Sequence, residues 1–161
     1  MTSSAPKRQA LIDHPDEFDK LRADRSLLDS AIDEGIRWTS PVKHFFRTAT
    51  QDYEIGGQTI KAGDSIMVCY PSANFDESAF EEPHTFRVDR KPNRHIAFGF
   101  GIHQCLGQHL AKMEMRSLFG QLVDRIDWVE RAGDPQWVEA NFVGGLKSLP
   151  IRYQMKTLQP S

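Results

Sequence analysis

Apolar residues recur at helical spacing in three stretches of the chain, and between them the pattern shortens toward strands. Residues 1–8 are expected to be disordered, and a first helix in two pieces follows them. Pro15 suits its first turn, with Asp16 and Glu17 favourable at the positive end. Phe18 and Leu21 share one face there, while Lys20 and Arg22 point elsewhere. A second helix is predicted from Leu27 to Trp38, with Leu28, Ala31 and Ile32 as its apolar members. Pro41 ends it by pushing Ser40 out of the α region. The third starts at Leu106 and carries Leu110, Met113, Leu118, Leu122 and Ile126, an amphipathic helix of about five turns.

Strand signals fill the remainder. Val42 to Thr50 has β-type content. The runs 52–55 and 58–60 flank Gly56-Gly57, a two-residue hairpin turn. Lys61 to Asp64 reads as another turn, and Ser65 to Tyr70 as a mostly buried strand containing Cys69. This block predicts a small antiparallel sheet. Residues 71–97 are broken by Pro71, Asn74, Asp76, Pro83 and Pro92, with a helical turn at Glu77 to Phe80. A long irregular stretch in a compact domain is often functional. Asp127 to Pro135 reads as a turn-rich connection between the third helix and short strands at Trp137–Ala140 and Leu149–Tyr153. The elements predict an α+β fold, mainly helical with small antiparallel sheets.

The chain of 161 residues can bury one core, and its net charge of −2 recommends neither nucleic acid nor an anionic membrane as partner. No apolar run reaches the ~18 residues of a membrane segment, and the first residues lack a signal-peptide core. With Cys69 read as a strand residue, a reducing compartment, the cytoplasm, is the expectation. One further cysteine with scattered histidines lacks zinc-ligand spacing.

Chemistry concentrates in Phe98-Gly99-Phe100-Gly101-Ile102-His103-Gln104-Cys105-Leu106-Gly107. Gly99 and Gly101 open backbone conformations closed to other residues, so a tight turn here can aim N–H groups at one point. Cys105 lies just ahead of a helix, and helix N-termini favour anionic sulfur. Gly107, placed in the first turn of that helix, removes a side chain where something bulky approaches. The arrangement suits one thiolate presented to a metal, its electron density tuned by N–H donors. A buried free cysteine serving only as a small hydrophobe is the plainer alternative.

The spacing Phe-Gly-x-Gly-x-His-x-Cys-x-Gly resembles the haem-ligand loop of the cytochrome P-450 family, bacterial soluble type. The resemblance implies that Cys105 is the axial ligand of haem iron (haem b, iron protoporphyrin IX), with Phe98, Gly99 and Gly107 around it. Glu34-Gly35-Ile36-Arg37 is similar to the family's Glu-x-x-Arg signature, which implies a buried lock completed by Arg90. It also implies propionate contacts from Arg47 and His95, and possible substrate contacts from Val42, Phe45, Phe142 and Val143. Apolar packing in a hairpin explains the last two equally well. Phe75 departs from the family, where many relatives carry arginine.

The resemblance runs from about Leu11 to Tyr153 and covers less than half of the family's fold. Residues 9–161 are thus expected to form a partial domain, the C-terminal, proximal-haem portion, N-terminally truncated. No Ala-Gly-x-x-Thr-like segment of the distal helix is found. By resemblance, the function is monooxygenation of an apolar small molecule of steroid, terpenoid or fatty-acid type. Electrons would come from a ferredoxin-like or flavin redox partner. The fragment alone is expected to bind haem without turnover. A haem-free interaction module reusing the fold is the alternative.

Overall fold

The computed structural model describes residues 10–157, and the expected disorder of residues 1–8 lies outside them. The first helix forms in two pieces, α1 (Ala10–Asp13) and α2 (Pro15–Ala23), with Pro15 at the start of the second. A 3-10 turn (Arg25–Leu27), with Asp24 accepting from the Ser26 N–H, leads into α3 (Leu28–Thr39). Ser40 ends α3 in the left-handed region at φ 38°, where continuing into Pro41 as a helix is barred. Phe18 and Leu21 of α2 pack with Ala31 and Trp38 of α3, and with Phe86 and Val88 from the irregular stretch. Val123 closes this core from the third long helix, α5 (Gln108–Arg125). The Arg22 guanidinium donates to the carbonyls of Ile126 and Asp127, tying α2 to the end of α5.

The block between α3 and the irregular stretch is two sheets rather than one. Strand β1 (His44–Thr48) pairs antiparallel with β4 (Ser65–Cys69), His44 opposite Cys69. The hairpin β2 (Tyr53–Ile55) and β3 (Gln58–Ile60) stands apart from them. Its turn uses Gly56 and Gly57 at φ 57° and 75°, as the paired glycines predicted. The expectation of a mostly buried β4 is corrected. Met67 is 54% exposed and Cys69 half-buried, because a two-stranded sheet has too few neighbours to cover both faces. Tyr70 leaves the strand for a short helix, α4 (Tyr70–Asn74), with Pro71 supplying a preset first turn.

Helix α5 has 18 residues and starts at Gln108, so Gly107 is its cap rather than part of its first turn. The turn-rich reading of 127–135 is also corrected. Strand β5 (Ile126–Arg131) follows the helix without a loop and pairs antiparallel with β8 (Ile151–Met155). Strands β6 (Gln136–Trp137) and β7 (Leu146–Ser148) form the remaining hairpin. The last strand therefore begins at Ile151, beyond Pro150, and serves β5 instead of the hairpin. Among the described residues no helix is long and apolar enough to cross a membrane.

Candidate functional site

The site grows from the loop between the irregular stretch and α5. Gly99 and Gly101 sit at φ 77° and 64°. The Gly99 N–H donates to the Ile96 carbonyl at 2.8 Å, and the Cys105 N–H donates back to the Phe98 carbonyl at 2.8 Å. The loop is thereby closed on itself with Cys105 on the outside, a free and exposed thiol. Phe98 faces the other way and packs on Ile32, Ile36 and Ala97 with Met115. The loop's own apolar side chains point to solvent: Phe100 is 82% exposed, and Ile102 and Leu106 98%. A Cβ on Gly107 would meet only the Cys105 sulfur, at 3.9 Å. Gly99 is more constrained. A Cβ there would lie 3.1 Å from the His103 carbonyl and 3.3 Å from the Tyr70 hydroxyl. Gly99→Ala should therefore destabilise the chain by at least about 1–2 kcal/mol, the cost of a left-handed L-residue. A urea midpoint equal to wild type would refute this.

Beneath the loop lies a buried polar network. Glu34 and Arg37 are wholly buried and Arg90 nearly so. Arg37 forks onto both Glu34 oxygens at 2.7 and 2.8 Å, and Arg90 Nε donates to both at 3.1 Å. The Asn93 amide and the Arg87 N–H add donors to the same carboxylate. The outer guanidinium nitrogens bind carbonyls of the irregular stretch. Arg37 takes those of Asn74 and Pro83, and Arg90 those of Glu81, Glu82 and Thr85. One carboxylate thus organises a segment without regular structure. Phe75 and Phe80 flank the Arg37 guanidinium, 5.0 and 5.3 Å from ring centre to carbon. Phe75, the departure noted in the sequence, is a cation–π partner of the network.

Asn74 is a linking residue that sequence reasoning missed. Fully buried, it donates to the Ser40 hydroxyl and accepts the Ile96 N–H, each at 2.8 Å. Ile96 in turn holds Gly99, so the network reaches the cysteine loop through two hydrogen bonds. An asparagine between prolines reads as a turn residue, and nothing in the sequence signals this role.

Asp33, beside Glu34, is the second residue missed. Its carboxylate lies 2.7 Å from Lys112 of α5 and 3.7 Å from Nε2 of His95. Burial opposes its ionisation. The approach of His95 and Lys112, with the charge of Lys112, more than offsets that and holds the carboxyl below its usual range. A lowered carboxyl stabilises the fold above the unfolded value near 3.8, and that contribution disappears as pH falls through the folded value. The melting temperature of Asp33→Asn should thus lie below wild type at neutral pH, with the gap closing below pH 3.8. A gap independent of pH would show that the pairing carries none of it.

The structure places the expected anion contacts unequally. The Arg47 guanidinium sits on β1, donates only to the Phe46 carbonyl, and lies 5.9 Å over the Phe45 ring. No carboxylate pairs with it among the described residues. His95 is turned inward and 6% exposed. Its Nδ1 accepts the Ala97 N–H, and Nε2 faces Asp33. The ring is thus tied to the protein through Nδ1 and buried beside Asp33, whereas His103 is exposed two residues before Cys105. Val42, Phe45, Phe142 and Val143 do come together. Val42 bridges Val143, and the Phe45 and Phe142 rings meet edge-on at 5.2 Å.

A porphyrin fits these residues: a soft sulfur donor without a protein partner, exposed apolar side chains around it, and a guanidinium without a carboxylate. No cluster of three or more histidines, cysteines and carboxylates with metal-site geometry occurs among the described residues.

A sequence model described as Cytochrome P450 matches residues 9–156. Cytochrome P450-terp of Pseudomonas sp is 50% identical over 140 residues, 87% of this chain and 33% of that relative. A steroid C26-monooxygenase of Mycolicibacterium smegmatis is 46% identical over 145 residues, 89% of this chain and 36% of its own length. The crystal structure of CYP108D1 from Novosphingobium aromaticivorans superposes with a TM-score of 0.84 at 52% identity, covering 91% of this chain and 36% of that one. The chain spans about a third of the length of the curated relatives it matches.

Proposed function

Because the chain belongs to the cytochrome P450 family, whose members bind haem b, we propose that it supplies the thiolate side of a haem monooxygenase. The exposed thiol of Cys105 on its self-closed loop is the observation that carries this reading. Cys105 would be the axial ligand, Gly99 and Gly101 hold the turn, and Gly107 leaves the space above the sulfur clear. Arg47 would pair with a porphyrin carboxylate. A second such contact falls to His95, the residue the resemblance implies, or to His103, which is exposed where His95 is buried beside Asp33. A bound haem thiolate favours O–O bond cleavage.

The residues of the chain contribute position, charge and apolar surface. The Glu34, Arg37 and Arg90 network sets the irregular stretch and, through Asn74, the height of the loop. Val42, Phe45, Phe142 and Val143 form an apolar edge suited to a substrate without charge. Of the steroid, terpenoid and fatty-acid types of substrate, the steroid type is the one supported by the name of the Mycolicibacterium relative. A ferredoxin-like or flavin protein would supply electrons, and the cytoplasm would be the compartment. The 161-residue chain by itself leaves the loop uncovered, so haem binding without turnover is expected of it.

Titration of the purified chain with hemin, followed by reduction under carbon monoxide, tests the reading. A saturable complex with a red-shifted Soret band is expected, without oxidation of a steroid or terpene. A chain that stays colourless would overturn it.

A further inference from the structure

Two charged pairs join α3 to α5 one helical turn apart. Asp29 meets Arg116 at 2.7 Å, and Asp33 meets Lys112 at 2.7 Å. The first pair stands in solvent, with Asp29 67% and Arg116 53% exposed. The second is more covered, Asp33 at 30% and Lys112 at 32%, and it has a third member. His95 Nε2 lies 3.7 Å from Oδ1 of Asp33, the same oxygen that Lys112 reaches. His95 stands ten residues before Cys105 and Lys112 seven after it. One carboxylate oxygen therefore draws both flanks of the cysteine loop toward α3. Between those flanks lies Phe98, with Lys112 Nζ 5.9 Å over its ring and the His95 ring 6.1 Å away. The Phe98 carbonyl accepts the Cys105 N–H. Asp33 thus reaches the cysteine through one aromatic ring and one hydrogen bond. Glu34, its neighbour in the chain, turns instead to Arg37 and Arg90 and holds the irregular stretch.

We propose that Asp33 is a positioning residue for the ligand loop: by holding Lys112 and His95 on one oxygen it keeps Phe98, and with it the Cys105 sulfur, in a fixed place. That the sulfur so held faces iron rests on the thiolate reading, whereas the tie itself does not. Burial opposes the ionisation of Asp33, but the approach of His95 and Lys112 keeps its carboxyl below the usual range, so the tie is charged at neutral pH. A residue that merely docked α3 on α5 would be matched by Asp29, which joins the same two helices without touching the loop.

Amide hydrogen exchange in the haem-free 161-residue chain reads the tie directly. Asp33→Asn should speed exchange at Gly99 and Cys105 about fivefold, with the core amides of Leu21 and Trp38 changed less, because the loop opens locally. Asp29→Asn should leave the rates of Gly99 and Cys105 as in wild type. Hemin titration reads the consequence. Asp33→Asn should bind hemin about 10-fold more weakly, as loss of an outer partner of a metal ligand does, and its red-shifted band under carbon monoxide should shrink. Asp33→Glu, which keeps the charge, should recover both, and Asp29→Asn should alter neither. Lys112→Gln breaks the same tie from α5, so it should match Asp33→Asn, and it decides the matter where Asp33→Asn does not fold. The double variant should be no worse than either single one, since the two side chains act as a unit. Gly99 and Cys105 amides that keep their rates in Asp33→Asn and Lys112→Gln, or that respond equally to Asp29→Asn, overturn the proposal. So does an unchanged affinity of Asp33→Asn when the wild-type chain binds hemin. A wild-type chain that stays colourless while its amides respond overturns the thiolate reading, and with it the role toward iron, but not the tie.

Discussion

Cys105→Ala should lower the affinity of the chain for hemin at least about 100-fold, since loss of even an outer partner of a metal ligand costs 10–100-fold. The red-shifted carbon monoxide band should disappear with it. Folding should scarcely change. Cys105 is exposed, its closest approach to a glycine Cβ position is 3.9 Å at Gly107, and the loop is closed by backbone atoms of Phe98 and Ile96. Exposed substitutions without such ties usually stay within about 0.5 kcal/mol. Cys69→Ala is the matched control. Its thiol is half-buried in β4, opposite His44 of β1, and its loss should leave hemin binding intact. Equal affinity of Cys105→Ala and wild type would mean that hemin merely adsorbs to exposed apolar residues such as Phe100 and Ile102. The haem-free interaction module would then be the better account.

How far the sequence carries this site depends on whether a residue's role is local. The turn at Gly99 and Gly101, the exposed sulfur after it and the helix behind it are neighbours in the chain, and spacing alone reveals them. Glu34 and Arg37 are three apart on one helix, so their pairing was legible as well. Roles set by distant partners were not. His95 carries only the contact that the resemblance implies, and nothing in the sequence shows that Asp33, on another element, lies 3.7 Å from its ring. Asn74 reads as a helix breaker until Ile96 and Ser40 meet its side chain. Strand β5 carries an alternation too weak to compete with the helix before it, and only β8, some twenty residues on, makes it a strand. The half-exposure of β4 has the same origin. An apolar run predicts burial, yet burial needs a covering element, and the described residues hold none there.

Arg37→Ala carries the largest expected loss of stability. The guanidinium donates to both oxygens of Glu34 and to two carbonyls, and it is wholly buried. Its removal leaves Glu34 with Arg90 as its one cationic partner among the described residues, beside the neutral donors of Asn93 and Arg87, and strands the Asn74 and Pro83 carbonyls away from water. Breaking a buried pair in this way costs about 3–5 kcal/mol, a large share of the 5–15 kcal/mol typical of a domain. Arg37→Lys should recover little of it, because an ammonium cannot reproduce the fork across four acceptors. Glu34→Gln should cost as much by another route, leaving two buried guanidinium groups with no carboxylate between them. Urea unfolding of the single and double variants checks this. The double variant Glu34→Gln/Arg37→Ala should lose less than the sum of the singles, since contacting groups couple. Strict additivity, or a cost below 1 kcal/mol for Arg37→Ala, would mean that the pair behaves as a solvated surface contact. The physical order of the loop follows from the same network. Asn74 and Ile96 link it to Gly99, so variants that loosen it should expose residues 94–107 to proteolysis before α5 unfolds.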